Sequence, residues 1–179
     1  IGDREGSARA GTWQGIALVN DGRPGDAATA LATSLEEAGG TVDSEATARL
    51  AAELGRAYLM SGRFAEAFSI IETTLPVAER LDLRGVIAEL LPSKGWALSQ
   101  QGRLHEAAAL FHGAITLAER EGAFNAECRA RMNLSAWLAR EVPGAAYPIA
   151  REGYERAVAR GDSGWALSLF GNASSVALI

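Results

Sequence analysis

Few side chains in this 179-residue chain have the types and spacing that catalysis requires. His105 and His112 are seven residues apart and therefore share one helix face, but neither belongs to a metalloprotease, nucleophile-elbow, phosphate-loop or dinucleotide motif. Neighbouring carboxylates such as Glu36 and Glu37 lie at a predicted helix end, which is typical of solvated surface. We therefore predict that the chain is not an enzyme and has no catalytic residues.

The single cysteine, Cys128, offers little further chemistry. It cannot form an intrachain disulfide, and no Cys/His cluster has the spacing of a metal site, so we predict no metal and no cofactor. Arg129 and Arg131 lie close by in the sequence and could lower the pKa of the thiol. The interpretation we favour is a small apolar residue packed inside a helical protein.

The overall charge and hydropathy exclude two classes of partner. A net charge of −5 argues against a nucleic-acid-binding surface, which needs clustered positive charge. No run approaches the roughly 18 apolar residues of a transmembrane helix, and no signal-peptide pattern is present, so we expect a cytoplasmic protein that does not enter a membrane. The chain begins at Ile1, without a methionine, and we expect it to be a fragment of a longer protein.

Three turn glycines recur at intervals of 40 residues, and three further residues recur with each of them. A glycine precedes each turn glycine by seven positions, an alanine follows that first glycine by two, and a second alanine follows the turn by five. The recurring residues are Gly15, Ala17, Gly22 and Ala27; Gly55, Ala57, Gly62 and Ala67; and Gly95, Ala97, Gly102 and Ala107. Four positions on one period in three units indicate an internal repeat.

Each unit is predicted to be a pair of amphipathic helices joined at the turn glycine. Leu50, Leu54 and Tyr58 have helical spacing before the turn of the second unit. Glycine destabilises a helix interior by about 1 kcal/mol relative to alanine, so its recurrence at Gly55 predicts a close crossing with the partner helix. The predicted units are 8–40, 44–82, 84–122 and 124–161, followed by a lone first helix at 163–179, all within one repeat domain, 1–179.

This pattern resembles the tetratricopeptide repeat, in a variant with about 40 rather than 34 residues per unit. The second unit shows it best, with Leu54-Gly55-x-x-Tyr58 followed by Ala67 and Ile71. Segments 117–122 and 157–162 are similar to repeats of large bacterial signalling ATPases and regulators. The resemblance implies an all-α, right-handed superhelix of helix-turn-helix repeats, in which the first helices line a concave groove.

The resemblance also implies which residues face that groove. Counted from the repeat glycine, they stand six and three positions before it and one, four and five after it. The ligand groove predicted in this way includes Asn20, Arg49, Arg56, Met60, Trp96, Gln100, Arg129 and Met132. Arginines suit the capture of carboxylates, which favours an acidic or C-terminal-carboxylate-bearing peptide as the ligand. A simpler interpretation, which we prefer, is that these arginines are solvated residues paired with acidic neighbours.

The predicted function is a non-enzymatic protein–protein interaction module, which binds a peptide or partner segment within a larger bacterial regulatory or signalling protein. The alternative is an effector-sensing repeat domain that gates a neighbouring ATPase, cyclase or DNA-binding domain. The last helix has an apolar face of Leu167, Phe170, Val176 and Ile179 that no following repeat covers. A second copy of the chain could cover this face, which predicts a homodimer through helix 163–179.

Overall fold

The computed structural model describes residues 3–177, with side chains described for residues 3–174. Within this range the chain forms nine α-helices and no strand, which confirms the predicted all-α class. The helices are α1 (Arg4–Asn20), α2 (Pro24–Glu37), α3 (Glu45–Met60), α4 (Phe64–Arg80), α5 (Arg84–Gln100), α6 (Leu104–Glu121), α7 (Phe124–Glu141), α8 (Pro143–Ala159) and α9 (Ser163–Ala177).

The helices stack in two layers. Each helix packs against the next one along the chain, and each odd-numbered helix also packs against the next odd-numbered one. In the part of the chain that the structure describes, no two even-numbered helices approach each other to within 8 Å between Cα atoms. The odd-numbered helices, which are the first helices of the units, therefore form a continuous inner layer, and the second helices form a more widely spaced outer layer.

The turn glycine ends the first helix in the predicted way. At Gly62 the backbone φ is +77°, in the left-handed region that glycine adopts without steric cost. The amide of the next residue, Arg63, turns back and donates to the carbonyl of Tyr58 at 2.8 Å, so that a free carbonyl at the helix end is satisfied. The same arrangement recurs at Gly22 and Gly102, whose φ angles are +74° and +77°.

The repeat glycines lie where the two helices of a unit cross, which confirms the prediction made from their recurrence. A Cβ at Gly95 would lie 2.6 Å from the ring of Phe111, and one at Gly15 would lie 2.5 Å from the side chain of Leu31. At Gly55 the corresponding distance, to Ile71, is 3.0 Å. The large side chain of the second helix therefore occupies the space that a side chain on the first helix would need.

In the fourth unit, two small residues allow the two helices to cross closely. Ser135 replaces the repeat glycine. The turn of this unit is one residue shorter than the turns of the earlier units, and with this difference allowed for, Ala150 occupies the position on the second helix where the earlier units have a large side chain. Both are fully buried. The hydroxyl of Ser135 donates to the carbonyl of Met132 at 3.0 Å and accepts from Nδ2 of Asn172, on α9, at 3.1 Å. The added side chain is thus accommodated because its neighbour is smaller.

Helix α9 packs on the array by one face only. Leu169 is completely buried, while Leu167 and Phe170 are 74% and 54% exposed. Ile179 and the side chain of Val176, which were assigned to the same apolar face, lie outside the described residues. None of the helices described in the structure is both long enough and apolar enough to cross a membrane.

Replacing Gly95 with alanine is expected to lower the free energy of unfolding by about 1–3 kcal/mol, because the new methyl group overlaps the ring of Phe111. The control is Gly113→Ala in α6, where a Cβ would meet nothing within 4 Å. Its higher helix propensity should raise stability by up to about 1 kcal/mol. Urea unfolding followed by circular dichroism measures both changes, and an equal effect of the two substitutions would contradict the close crossing.

Candidate ligand groove

The inner layer encloses a concave cavity of about 880 Å³. Its wall is built from α1, α3, α5, α7 and the start of α9, so every unit contributes its first helix. On the later helices the lining residues lie mostly in the amino-terminal half. The lining side chains are Arg9, Thr12, Trp13, Ile16, Asn20, Ala46, Arg49, Glu53, Arg56, Glu89, Asn125, Arg129, Asp162, Trp165 and Ser168.

Four charged residues on successive first helices form a row in this cavity, which we name the charged ladder: Arg9, Arg49, Glu89 and Arg129. Each stands six positions before the repeat glycine, or before Ser135 in the fourth unit. Because the first helices stack with the same register, one helical position is repeated along the inner layer. Three of the four charges are positive, and the acidic member lies between two arginines.

The structure brings together only some of the residues assigned to the groove from the sequence. Asn20, Arg49, Arg56 and Arg129 line the cavity. The other four residues, Met60, Trp96, Gln100 and Met132, do not. Met60 and Gln100 are the last residues of their helices, and Trp96 packs against the buried apolar cluster between α3, α4 and α5.

Two tryptophans at the ends of the array also line the cavity, and the repeat positions did not indicate them. Trp13, on α1, is 72% exposed. Trp165, on α9, is half-buried, and its Nε1 donates to Oδ1 of Asn125 at 2.8 Å. One feature of the sequence could have indicated Trp13: it departs from the repeat, since the same position in the next unit is occupied by the acidic residue Glu53.

Most arginines of the cavity already have an acidic partner on their own helix. Arg9 pairs with Glu5 at 2.7 Å, and Arg49 pairs with Glu45 at 3.0 Å, in both cases one helical turn earlier. Arg56 pairs with Glu53 at 3.1 Å in a less exposed position. For these three arginines the geometry is that of the simpler interpretation, an arginine paired with an acidic neighbour.

Arg129 and Glu89 differ from the rest of the ladder. Nη2 of Arg129 donates to the backbone carbonyl of Glu89 at 3.4 Å, whereas its Nε is buried without an acceptor among the described residues. Burial lowers the pKa of Arg129. The carboxylate of Glu89 makes no hydrogen bond or ion pair with any described residue, and burial raises its pKa although the nearby charge of Arg129 opposes this.

A second polar cluster is centred on the buried side chains of Arg131 and Glu127, and no sequence pattern indicated it. The guanidinium of Arg131, which is 2% exposed, donates to Glu127 at 2.9 Å, to Glu119 at 2.7 Å and to both carboxylate oxygens of Glu152 at 2.9 and 3.0 Å. Glu127 in turn accepts from Arg156 at 3.0 Å. We call these five residues the ion network; they join α6, α7 and α8, and of the five only Arg131 and Glu127 are buried.

Cys128 is fully buried beside this network, as expected for a packed helix residue. Burial, followed by the negative charge of Glu127, raises the pKa of its thiol to about 12. The alternative considered from the sequence, a thiol activated by its arginine neighbours, is therefore wrong, because desolvation outweighs their charge. Among the residues whose side chains are described, no group of three His, Cys, Asp or Glu is arranged to hold a metal ion.

Comparison with known proteins gives the fold. No family model matches the sequence, and no curated protein matches it. The similar solved structures include the nearly identical TPR-like repeats of a Podosopora anserina protein provisionally named a kinesin light chain, and a single-substitution variant of it. Each is 13% identical, with a TM-score of 0.68 over 98% of this chain and 87% of the other. This likeness, together with the two-layer stack, shows a tetratricopeptide-like repeat fold.

Replacing Arg131 with methionine is expected to lower the free energy of unfolding by about 1–3 kcal/mol, because the buried carboxylate of Glu127 loses one of its two arginine partners. The control is Arg151→Met, which breaks an exposed pair with Glu155 and should change stability by less than about 1 kcal/mol. Urea unfolding measures both. A loss for Arg131→Met as small as that of the control would show that the network does not stabilise the fold.

The thiol of Cys128 is expected to resist a thiol-specific reagent in the folded protein at about pH 8. Its pKa of about 12 keeps the sulfur protonated well above that pH, and the side chain is inaccessible. Unfolding returns the thiol to its ordinary pKa near 8.5 and restores its reactivity. The release of chromophore from Ellman's reagent, with and without denaturant, measures the difference; rapid labelling of the native protein would contradict the burial.

Proposed function

We propose that this tetratricopeptide-like repeat array is a non-enzymatic interaction module that binds a segment of a partner protein in its concave groove, as part of a larger regulatory or signalling protein. Repeat folds of this kind are generally protein-interaction modules. The observation that carries the proposal is the cavity itself, to which every unit contributes its first helix. Ligand recognition along such a surface is the usual consequence of stacking repeats.

The dimensions and lining of the groove support a short extended segment as the ligand. Its volume of about 880 Å³ is near the upper end of the roughly 300–1,000 Å³ typical of ligand pockets. Trp13 and Trp165 lie on the first and last helices, and the charged ladder lies between them. Tryptophan is enriched among the residues that dominate binding energy at interfaces, so the two aromatic ends are the expected anchors.

The groove is proposed to act by binding alone. Its charged residues are mainly arginines and glutamates, and three of the four arginines are held in pairs with carboxylates of their own helices. Such pairs fix the position of a side chain without activating it for proton transfer or nucleophilic attack. Complementarity of shape and charge is therefore the mechanism that this surface supports.

Selection from a displayed library of random peptides, unbiased in charge, tests this function. Peptides enriched by the wild-type protein are expected to bind Trp13→Ala at least about tenfold more weakly, because an aromatic anchor of the groove is lost. Trp13 is 72% exposed, so the substitution should leave the fold unchanged. Fluorescence anisotropy of the selected peptides gives the affinities.

The matched control is Leu167→Ala on α9, a side chain that is 74% exposed and does not line the cavity. It should bind the same peptides with wild-type affinity. If the library yields no enriched peptide, or if the enriched peptides bind Trp13→Ala as tightly as the control, the groove is not the binding surface.

A further inference from the structure

We propose that Arg129 binds a side-chain carboxylate of an acidic partner segment, and that Glu89 determines specificity by opposing this ligand with its own carboxylate. The inference rests on the proposed function, because it names the chemistry of the segment that the groove would bind. It concerns two neighbouring members of the charged ladder, and it is argued from the absence of an ion-pair partner for each of them among the described residues.

Arg129 lacks the partner that the other arginines of the ladder have. Arg9 and Arg49 each pair with a glutamate four residues earlier on the same helix. Four residues before Arg129 stands Asn125, a neutral side chain, and its amide oxygen is already bonded to Nε1 of Trp165 at 2.8 Å. Two arginines of the ladder therefore have a carboxylate four residues earlier on their own helix, and the third has a neutral amide there.

The guanidinium of Arg129 consequently lines the cavity without a carboxylate partner among the described residues. Its Nε is buried and has no acceptor among the described residues, and its Nη2 has only a backbone carbonyl at 3.4 Å. Because Nε is covered by the protein, a ligand would reach the other nitrogens of the guanidinium, and a carboxylate is the acceptor that a guanidinium binds most strongly. A ligand carboxylate would supply to Arg129 what Glu5 and Glu45 supply to the other two arginines.

Glu89 is the one acidic member of the ladder, and it lies where it would repel such a ligand. Its carboxylate has no bonded partner among the described residues, and the charge of Arg129 acts on it. When Glu89 is ionised, an incoming carboxylate meets a like charge beside its binding site. When Glu89 is protonated, that repulsion disappears and the positive charge of Arg129 is available to the ligand.

Among the charged groups of the cavity, we expect Glu89 to set the pH dependence of ligand binding. The groups that face the cavity are Arg9 on α1; Arg49, Glu53 and Arg56 on α3; Arg129 on α7; and Asp162 before α9. Arginines stay protonated throughout the accessible pH range. Neither His105 nor His112 lines the cavity. Because burial raises the pKa of Glu89, this side chain takes up a proton at a higher pH than an ordinary carboxylate does.

Isothermal titration calorimetry with hexa-aspartate, acetylated at the amino end and amidated at the carboxyl end, tests the inference with side-chain carboxylates alone. The wild-type protein is expected to bind this peptide and not capped hexa-asparagine. Affinity should rise as the pH is lowered from about 7.5 to about 5.5, and aspartate in the ligand is still ionised at the lower pH. The variant Glu89→Gln should bind more tightly at the higher pH and lose the difference between the two.

Two substitutions test the role of Arg129. Arg129→Gln removes the charge, and Asn125→Glu supplies the internal partner found in the first two units, so each should weaken binding by about tenfold or more. The second change reproduces a pattern that the fold already contains at Arg9 and Arg49, so it separates loss of binding from loss of folding. Arg120→Gln removes the same charge from an exposed position outside the cavity and should leave affinity nearly unchanged.

The inference is overturned if the wild-type protein fails to bind hexa-aspartate, or if it binds hexa-asparagine equally well. It is also overturned if Asn125→Glu binds like the wild type, or if Glu89→Gln keeps the wild-type pH dependence. Each of these results leaves the proposed function standing whenever peptides from the unbiased library still bind in a way that depends on Trp13. Loss of both kinds of binding, to hexa-aspartate and to the library peptides, would show that the groove is not a binding surface.

Discussion

The close crossing of the two helices within each unit is the constraint on which the rest of the structure depends. At Gly95 the helices approach so closely that the ring of Phe111 fills the place of a side chain. This contact fixes how far one helix of a pair is offset from the other. Since the same contact recurs every 40 residues, the first helices stack in one register, and a single helical position becomes the charged ladder of the groove.

The fold could be predicted from the sequence because the glycine crossing and the turn that determine it are local and recur in the sequence. The lining of the groove depends instead on the curvature of the whole helix array. Spacing located the crossing glycines and the turns of the first three units, and the resemblance to the tetratricopeptide repeat implied the helical position that forms the ladder. It also assigned Met60 and Gln100 to the groove, although these residues end their helices beyond the cavity. How tightly the array curves decides which turns of each helix face inward, and this property arises only when several units pack.

Two arginines on α7 show why residue type alone does not reveal a site. Arg131 is surrounded by carboxylates from three helices and is fully satisfied inside the protein. Arg129, two residues away on the same helix, lines the cavity and has no carboxylate partner among the described residues. In the sequence the two are equivalent, because the partners of Arg131 lie up to 21 residues away on helices whose relative placement no local pattern gives.

The side-chain bonds between residues one repeat apart have a mechanical consequence. Trp165 bonds to Asn125, Asn172 bonds to the carbonyl of Met132, and Arg129 bonds to the carbonyl of Glu89. In the described part of the chain no such bond joins α1 to α3 or α3 to α5. Apolar contacts are non-directional and permit small sliding displacements, whereas hydrogen bonds resist them. Sliding of one first helix against the next is therefore opposed by directional bonds from α5 to α9, a restraint that the described contacts of α1, α3 and α5 with one another do not include.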